Sequence, residues 1–170
     1  MKSHTKKGFT LIEIMVVVGI IGVLTAVVTA NFTEARREAR NKSLRASLSE
    51  VQLALEVYRA QNDRYPASIS LLLPEYIHAL PDNGSTGNTS CDVDNSRYTT
   101  DAGGTYYKLT AYRCIAGATS AANGIQQDDE LARCPSFCGS CGGVTFNAAY
   151  KASADFYESM AIYSRDGECQ

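Results

Sequence analysis

Two sets of side chains in this 170-residue chain are of types and spacings that could do chemistry: one glutamate at the head of an apolar run, and six cysteines far downstream. Glu13 precedes a stretch, Ile14 to Ala30, that carries no charge and only two polar side chains, Thr25 and Thr29. With residues 9–12 added, the run meets the roughly 20 apolar residues needed to cross a bilayer. A carboxylate left unpaired in hydrocarbon costs on the order of several kcal/mol, so Glu13 calls for a partner. A cut between Gly8 and Phe9 would supply one, because the new α-amine lies four residues before Glu13 and residues four apart share a helix face. Paired within a chain, the two charges neutralise each other. Paired between chains, they fix one chain's register against the next, the best-attested use of a buried ion pair.

Cys91, Cys114, Cys134, Cys138, Cys141 and Cys169 all follow the apolar run. An even set on one side of a membrane reads as disulfides in an oxidising compartment, and six cysteines allow 15 pairings. Three of them fall in residues 134–141 and three outside, so if all pair, an odd number of bonds must leave that cluster. The alternative is zinc held by Cys134, Cys138 and Cys141 with Cys169 or Cys114 as fourth thiolate. Zinc sites usually come as paired CxxC units, and the expected location favours oxidation, so disulfides are preferred.

Other constellations are weaker. Asp92 and Asp94 have a calcium-like spacing, but the glycine and distal glutamate of an EF-hand loop are missing, and a turn-forming polar loop is the preferred reading. Asp128-Asp129-Glu130 reads as a solvated loop. His78 and the leader's His4 are the two histidines. No nucleophile–base set can be assembled around them, so no enzyme is expected. Gly139 to Gly143 sits among cysteines without the strand–glycine–helix context of a phosphate loop. The net charge of −2 hides an acidic distal part, with 6 basic and 12 acidic side chains from residue 66 onward. That balance argues against direct nucleic-acid binding, and the tyrosines at 98, 106, 107 and 112 alternate as a strand does.

The elements that must position these groups divide the chain into four. Residues 1–8 form a basic leader, residues 9–30 a membrane-spanning or filament-core helix, residues 31–65 an amphipathic continuation, and residues 66–170 a globular head. Basic residues flank the span on both sides, so the positive-inside rule does not orient it; the cysteines place the head outside the cytoplasm. Gly22, Ala26 and Ala30 make a small-xxx-small row of the kind that lets helices approach closely in lipid. From residue 31 to 62 there is neither proline nor glycine, and Leu44, Leu48, Val51, Leu55 and Tyr58 form one apolar stripe. A helix over residues 9–62 would be about 80 Å long. Pro66 is expected to end it through its effect on the preceding residue. A short helix or turn is expected over residues 68–77, a long loop over 82–104, and strands over 106–115, 144–146 and 156–164. The fold class is α+β: a long N-terminal helix packed on a small antiparallel sheet of three or four strands, its loops stapled by disulfides.

The basic leader, Gly8, then Phe9-Thr10-Leu11-Ile12-Glu13 and a long apolar helix together resemble the signal of type IV pilins and type II secretion pseudopilins. Residues 62–66 with Tyr76-Ile77 and Leu80-Pro81-Asp82 also resemble the segment after the helix in that family. The resemblance implies a membrane prepilin peptidase that cuts after Gly8 and methylates Phe9. It implies a retained helix that packs with other copies into a filament on an inner-membrane assembly platform. It also raises the odds of calcium at Asp92 and Asp94. Where many members carry a helix-bending proline, this chain has Ala30, so a straighter helix is expected. The expected role is a structural pilus subunit, with the cysteine-rich loops favouring an exposed filament. The alternatives are a secretion pseudopilin, a minor tip subunit binding DNA or a surface, and a membrane-tethered enzyme. The last two lack the basic or aromatic patch and the catalytic set they would need.

Overall fold

The computed structural model describes residues 8–81, 91, 93–118, 124–138, 140–141, 144–145 and 154–169, with backbone alone at 29–31, 140, 144–145 and 154–155. It divides into two units, Met1–Arg37 and Glu38–Gln170. Helix α1 spans Leu11–Asn62, proline-free throughout and rich in strong helix formers beyond residue 31, and continues through residue 30 without interruption. In the first unit every described side chain of α1 is exposed, and an apolar window there is long enough to cross a membrane by length and composition. The Thr25 hydroxyl donates to the Ile21 carbonyl at 2.7 Å, so that polar group is satisfied inside the helix.

In the second unit the stripe predicted on α1 is the core. Leu44, Leu48, Val51 and Leu55 are buried, Tyr58 is half-buried against them, and Ala54 joins them. They share one cluster with Tyr107, Leu109 and Ile162 of the sheet and with Ile69 and Leu72 of the turn after the helix. The helix stops earlier than a proline effect at Pro66 requires. Asp63 takes a left-handed conformation (φ 59°), and its N–H donates to the Arg59 carbonyl at 2.8 Å, the αL form of C-cap. The 3₁₀ turn Ile69–Leu72 follows, capped by Ser68, whose hydroxyl accepts from the Ser70 N–H.

Three antiparallel strands form the main sheet in the order β1-β2-β5, with β1 at Tyr98–Thr100, β2 at Tyr107–Ala111 and β5 at Met160–Tyr163. Strand β1 falls inside the segment expected to be loop. Its hairpin to β2 is organised by Asp101, which accepts from the Thr105 N–H at 2.6 Å and from the Tyr106 N–H at 3.3 Å. Gly104 is required in that turn: its φ is +65°, and a Cβ there would meet the Tyr65 carbonyl oxygen at 2.7 Å. Strand β2 is shorter than expected because Arg113 turns the chain (φ 52°), its N–H donating to Ser159 Oγ at 2.8 Å. Both faces of β2 are buried. Lys108, on the face away from Tyr107 and Leu109, is covered by the C-terminal turn, where its Nζ donates to the Glu168 carbonyl at 2.8 Å.

A two-stranded ribbon pairs β3, Ser140–Cys141, with β4, Val144–Thr145; the rest of the expected 144–146 strand lies outside the described residues. The segment expected as one strand over 156–164 is two elements, a helical turn α2 at Ala154–Tyr157 and then β5. The N–H of Ile125 donates to the Tyr157 carbonyl, and that of Ile115 to the Glu158 carbonyl. Those bonds hold the chain in a bend before β5.

Candidate functional site

The start of α1 is built by Thr10 and Glu13. The Thr10 N–H and hydroxyl both donate to Glu13 Oε2, each at 2.8 Å, while the Glu13 N–H donates to Thr10 Oγ1 at 3.3 Å. This reciprocal arrangement is a capping box, in which a Ser/Thr N-cap and an acid three residues on satisfy each other's backbone amides. The sequence signal for it, Thr-x-x-Glu before an apolar run, is present in the chain. Thr10 is the residue that sequence reasoning missed. Both bonds converge on Oε2, and Oε1 accepts none among the described residues. The carboxylate is oriented by its own chain with one oxygen still open to a donor from elsewhere.

Immediately before this cap, Gly8 and Phe9 are exposed, Phe9 at 85 %. A side chain at Gly8 would meet nothing within 4 Å, so the Gly8–Phe9 bond lies in open backbone at the mouth of the helix. Of the small-residue row, Gly22 and Ala26 are exposed and Gly22 faces open space; the side chain of Ala30 lies outside what is described. A shallow apolar groove of about 440 Å³ runs along Val16, Gly19, Ile20, Val23 and Leu24 instead. Its spacing of i, i+3, i+4, i+7 and i+8 is one helix face, notched at Gly19, the second residue that sequence reasoning passed over.

The other predicted groups lie in the second unit. All six cysteines are paired, as Cys91–Cys114, Cys134–Cys141 and Cys138–Cys169. One bond leaves the 134–141 cluster, as parity required, and the zinc alternative is set aside because no free thiolate remains. Cys134, Cys138 and Cys141 make a small core of their own with Phe156. Asp94 caps the 3₁₀ turn Asn95–Arg97, its Oδ1 accepting from the Ser96 N–H and hydroxyl; Asp92 lies outside the described residues. His78 is exposed.

The acidic triplet is not a solvated loop throughout. Asp129 forms a two-pronged pair with Arg45 of α1, with contacts of 2.6 and 3.2 Å, and accepts from the Leu131 N–H as well. Burial pushes its carboxyl upward, but the Arg45 guanidinium and the Leu131 amide outweigh that and hold it below the ordinary value of 3.8. One turn earlier, Asn41 exchanges two hydrogen bonds with the backbone of Ala116. Asn41 and Arg45 thus tie the segment between β2 and β3 to the helix at two points.

Residues 3–29 match the family model for the prokaryotic N-terminal methylation motif. Over 68 residues the chain is 34 % identical to the type II secretion system core protein G of Klebsiella michiganensis, covering 40 % of this chain and 48 % of that protein. It is 36 % identical over 66 residues to the protein of the same name in Escherichia coli K12, covering 39 % and 46 %. It is 34 % identical over 77 residues to the type IV wide pilus major component PilA4 of Thermus thermophilus, covering 45 % and 59 %. The matches thus span about half the length of these relatives. No solved structure matches the chain at a significant level. A capped glutamate at the head of an exposed apolar helix and an open Gly8–Phe9 bond before it thus lie within a prokaryotic N-terminal methylation motif, and over somewhat less than half of its length the chain is similar to type II secretion core proteins and a type IV pilin.

Proposed function

We propose that this chain is a structural subunit of a type IV pilus filament. A prepilin peptidase cuts between Gly8 and Phe9 and methylates the Phe9 amine. The precursor is anchored in the inner membrane by the first half of α1, with its head on the extracytoplasmic side. On assembly, the amine of a neighbouring copy donates to the open oxygen of Glu13. The span then passes from lipid into a helical core at the filament axis, using the groove at Gly19 and the small row at Gly22, Ala26 and Ala30. The head tiles the outside, where three disulfides suit an extracellular life. The role is structural, without catalysis.

The observation that carries this reading is the exposure of every described side chain of the span: a helix apolar all round is stable only in lipid or packed among other helices. Mass spectrometry of a sheared filament fraction tests it. A mature chain starting at methylated Phe9 is expected, with Glu13→Ala removing the protein from the fraction. A chain retaining Met1 to Gly8 in filaments, or Glu13→Ala filaments at normal yield, refutes it. A second reading, a pseudopilin of a type II secretion machine, is favoured by the similarity to the type II secretion core proteins of Klebsiella and Escherichia. Under that reading, long surface filaments are absent and loss of the gene blocks protein export.

A further inference from the structure

The outer face of α1 beside the head carries a groove of about 440 Å³ that the fold leaves open. Glu50, Leu53, Ala54, Val57 and Gln61 line one side of it, at spacings that put them on one helix face, and Glu75 and Tyr76 line the other. Leu53 and Val57 are large apolar side chains, 65 % and 40 % exposed, on the opposite side of the helix from the buried Leu48, Val51 and Leu55. The Tyr76 hydroxyl donates to Gln61 Oε1 and closes one end. Among the described residues neither Glu50 nor Glu75 forms an ion pair, and the same holds for Arg40, ten residues before Glu50 on the same helix. Arg40 lies in the basic segment Arg36, Arg37, Arg40 and Lys42, and Arg36 is one turn away on its face.

We propose that this groove is an interface between copies: the Leu53–Val57 floor and the Glu50 and Glu75 rim receive the Arg36–Arg40 face of α1 from a second copy of this chain. The argument for that occupant is charge complementarity within one sequence. An apolar floor with two unpaired carboxylates requires a segment carrying cations on an aliphatic stem, which arginine supplies. Seating a partner's Arg40 against Glu50 staggers those two helices by about 15 Å, the rise over ten residues, so this partner is a different neighbour from the copy whose amine meets Glu13 at a stagger of about 6 Å. Opposite charges set along two parallel helices fix register more than they add affinity. The inference rests on the filament reading above and adds to it a contact outside the N-terminal span.

The test is charge exchange in the full-length chain, read as pilin in the sheared filament fraction. Glu50→Arg and Arg40→Glu are each expected to lower that yield at least about fivefold, and the two together to restore at least about half of it. Single variants at normal yield, or a double variant no better than either single one, overturn the proposal. Glu13→Ala is run in parallel, since its failure to reduce filaments refutes the filament reading itself, whatever the groove does. Because a charge variant could fail by misfolding, a benzoylphenylalanine photocrosslinker at Leu53 in the otherwise native chain gives an independent readout. An adduct of twice the monomer mass that maps to residues 36–42 supports the proposal. Adducts to lipid, to a different protein, or to another part of a second copy overturn it.

Discussion

Asp129→Asn isolates the bond that fastens the acidic loop to α1. The pair is two-pronged and charge-assisted, with contacts of 2.6 and 3.2 Å, and its side chains keep 35 % (Arg45) and 22 % (Asp129) of their exposure. That places it between an exposed pair, contributing about 0–1 kcal/mol, and a fully buried one whose loss of a partner costs about 3–5 kcal/mol. Discounted for solvent screening, a loss of about 1–2 kcal/mol is expected. The pH dependence carries the same information. Asp129 titrates below its ordinary 3.8 in the folded chain, so its contribution is present above that value and is lost as the pH falls through the lower folded value. The assay is urea unfolding of the oxidised chain in detergent at pH 7 and at pH 3, followed by tyrosine fluorescence, urea being chosen because it adds no ionic screening. At pH 7 the variant should be the less stable, and on acidification the gap should close. A variant within about 0.3 kcal/mol of the wild type at pH 7, or a gap unchanged at pH 3, refutes the view that this pair holds the loop.

Removing the Cys138–Cys169 bond as a double serine variant should cost about 3–4 kcal/mol, and removing Cys134–Cys141 only about 2, because the closed loops span 31 and 7 residues; equal losses in urea unfolding would contradict the chain-entropy ranking. Burial, with the nearby Arg133, pushes the Lys108 ammonium down from 10.5 to about 8, Glu168 offsetting part of this. Between those values the unfolded chain holds the proton and the folded one has lost it, so stability should rise with pH across that window by about 2–3 kcal/mol after allowance for screening. Lys108→Met should flatten that rise in a pH series of unfolding midpoints. Thr10→Val removes the hydroxyl of the capping box and should lower filament yield severalfold, in line with about 1 kcal/mol for a lost cap, whereas Thr10→Ser should retain it; equal yields for the two would show that the hydroxyl is dispensable.

Much of this molecule is local in origin, and that part was legible in the residues themselves. The apolar run, the absence of helix breakers to Asn62 and the stripe from Leu44 to Tyr58 each depend on spacing along one helix, which a periodicity captures. The parity of the cysteines likewise needed no coordinates to require that a bond leave the cluster at 134–141. What escaped were features set by other segments. Strand β1 lies in a stretch whose Gly, Asn, Ser, Asp and Thr content signals loop, and only its pairing with β2 makes Tyr98-Thr99-Thr100 a strand. Residues 156–164 break into a turn and a strand because backbone bonds from Ile115 and Ile125 capture the bend.

Asp129 looked like one acid among three, and only the approach of α1 sets Arg45 opposite it. The choice among 15 disulfide pairings was also a tertiary decision, since it depends on which loops the sheet brings within bonding distance. Glu13 stands between the two cases. Its need for a partner was written in the polarity of its neighbours and the Thr-x-x-Glu signature in their spacing, but the convergence of both Thr10 bonds on one carboxylate oxygen emerged only with the helix terminus in three dimensions. Order along one helix is dictated by residues a turn apart, whereas pairings across a long loop depend on every segment that closes it.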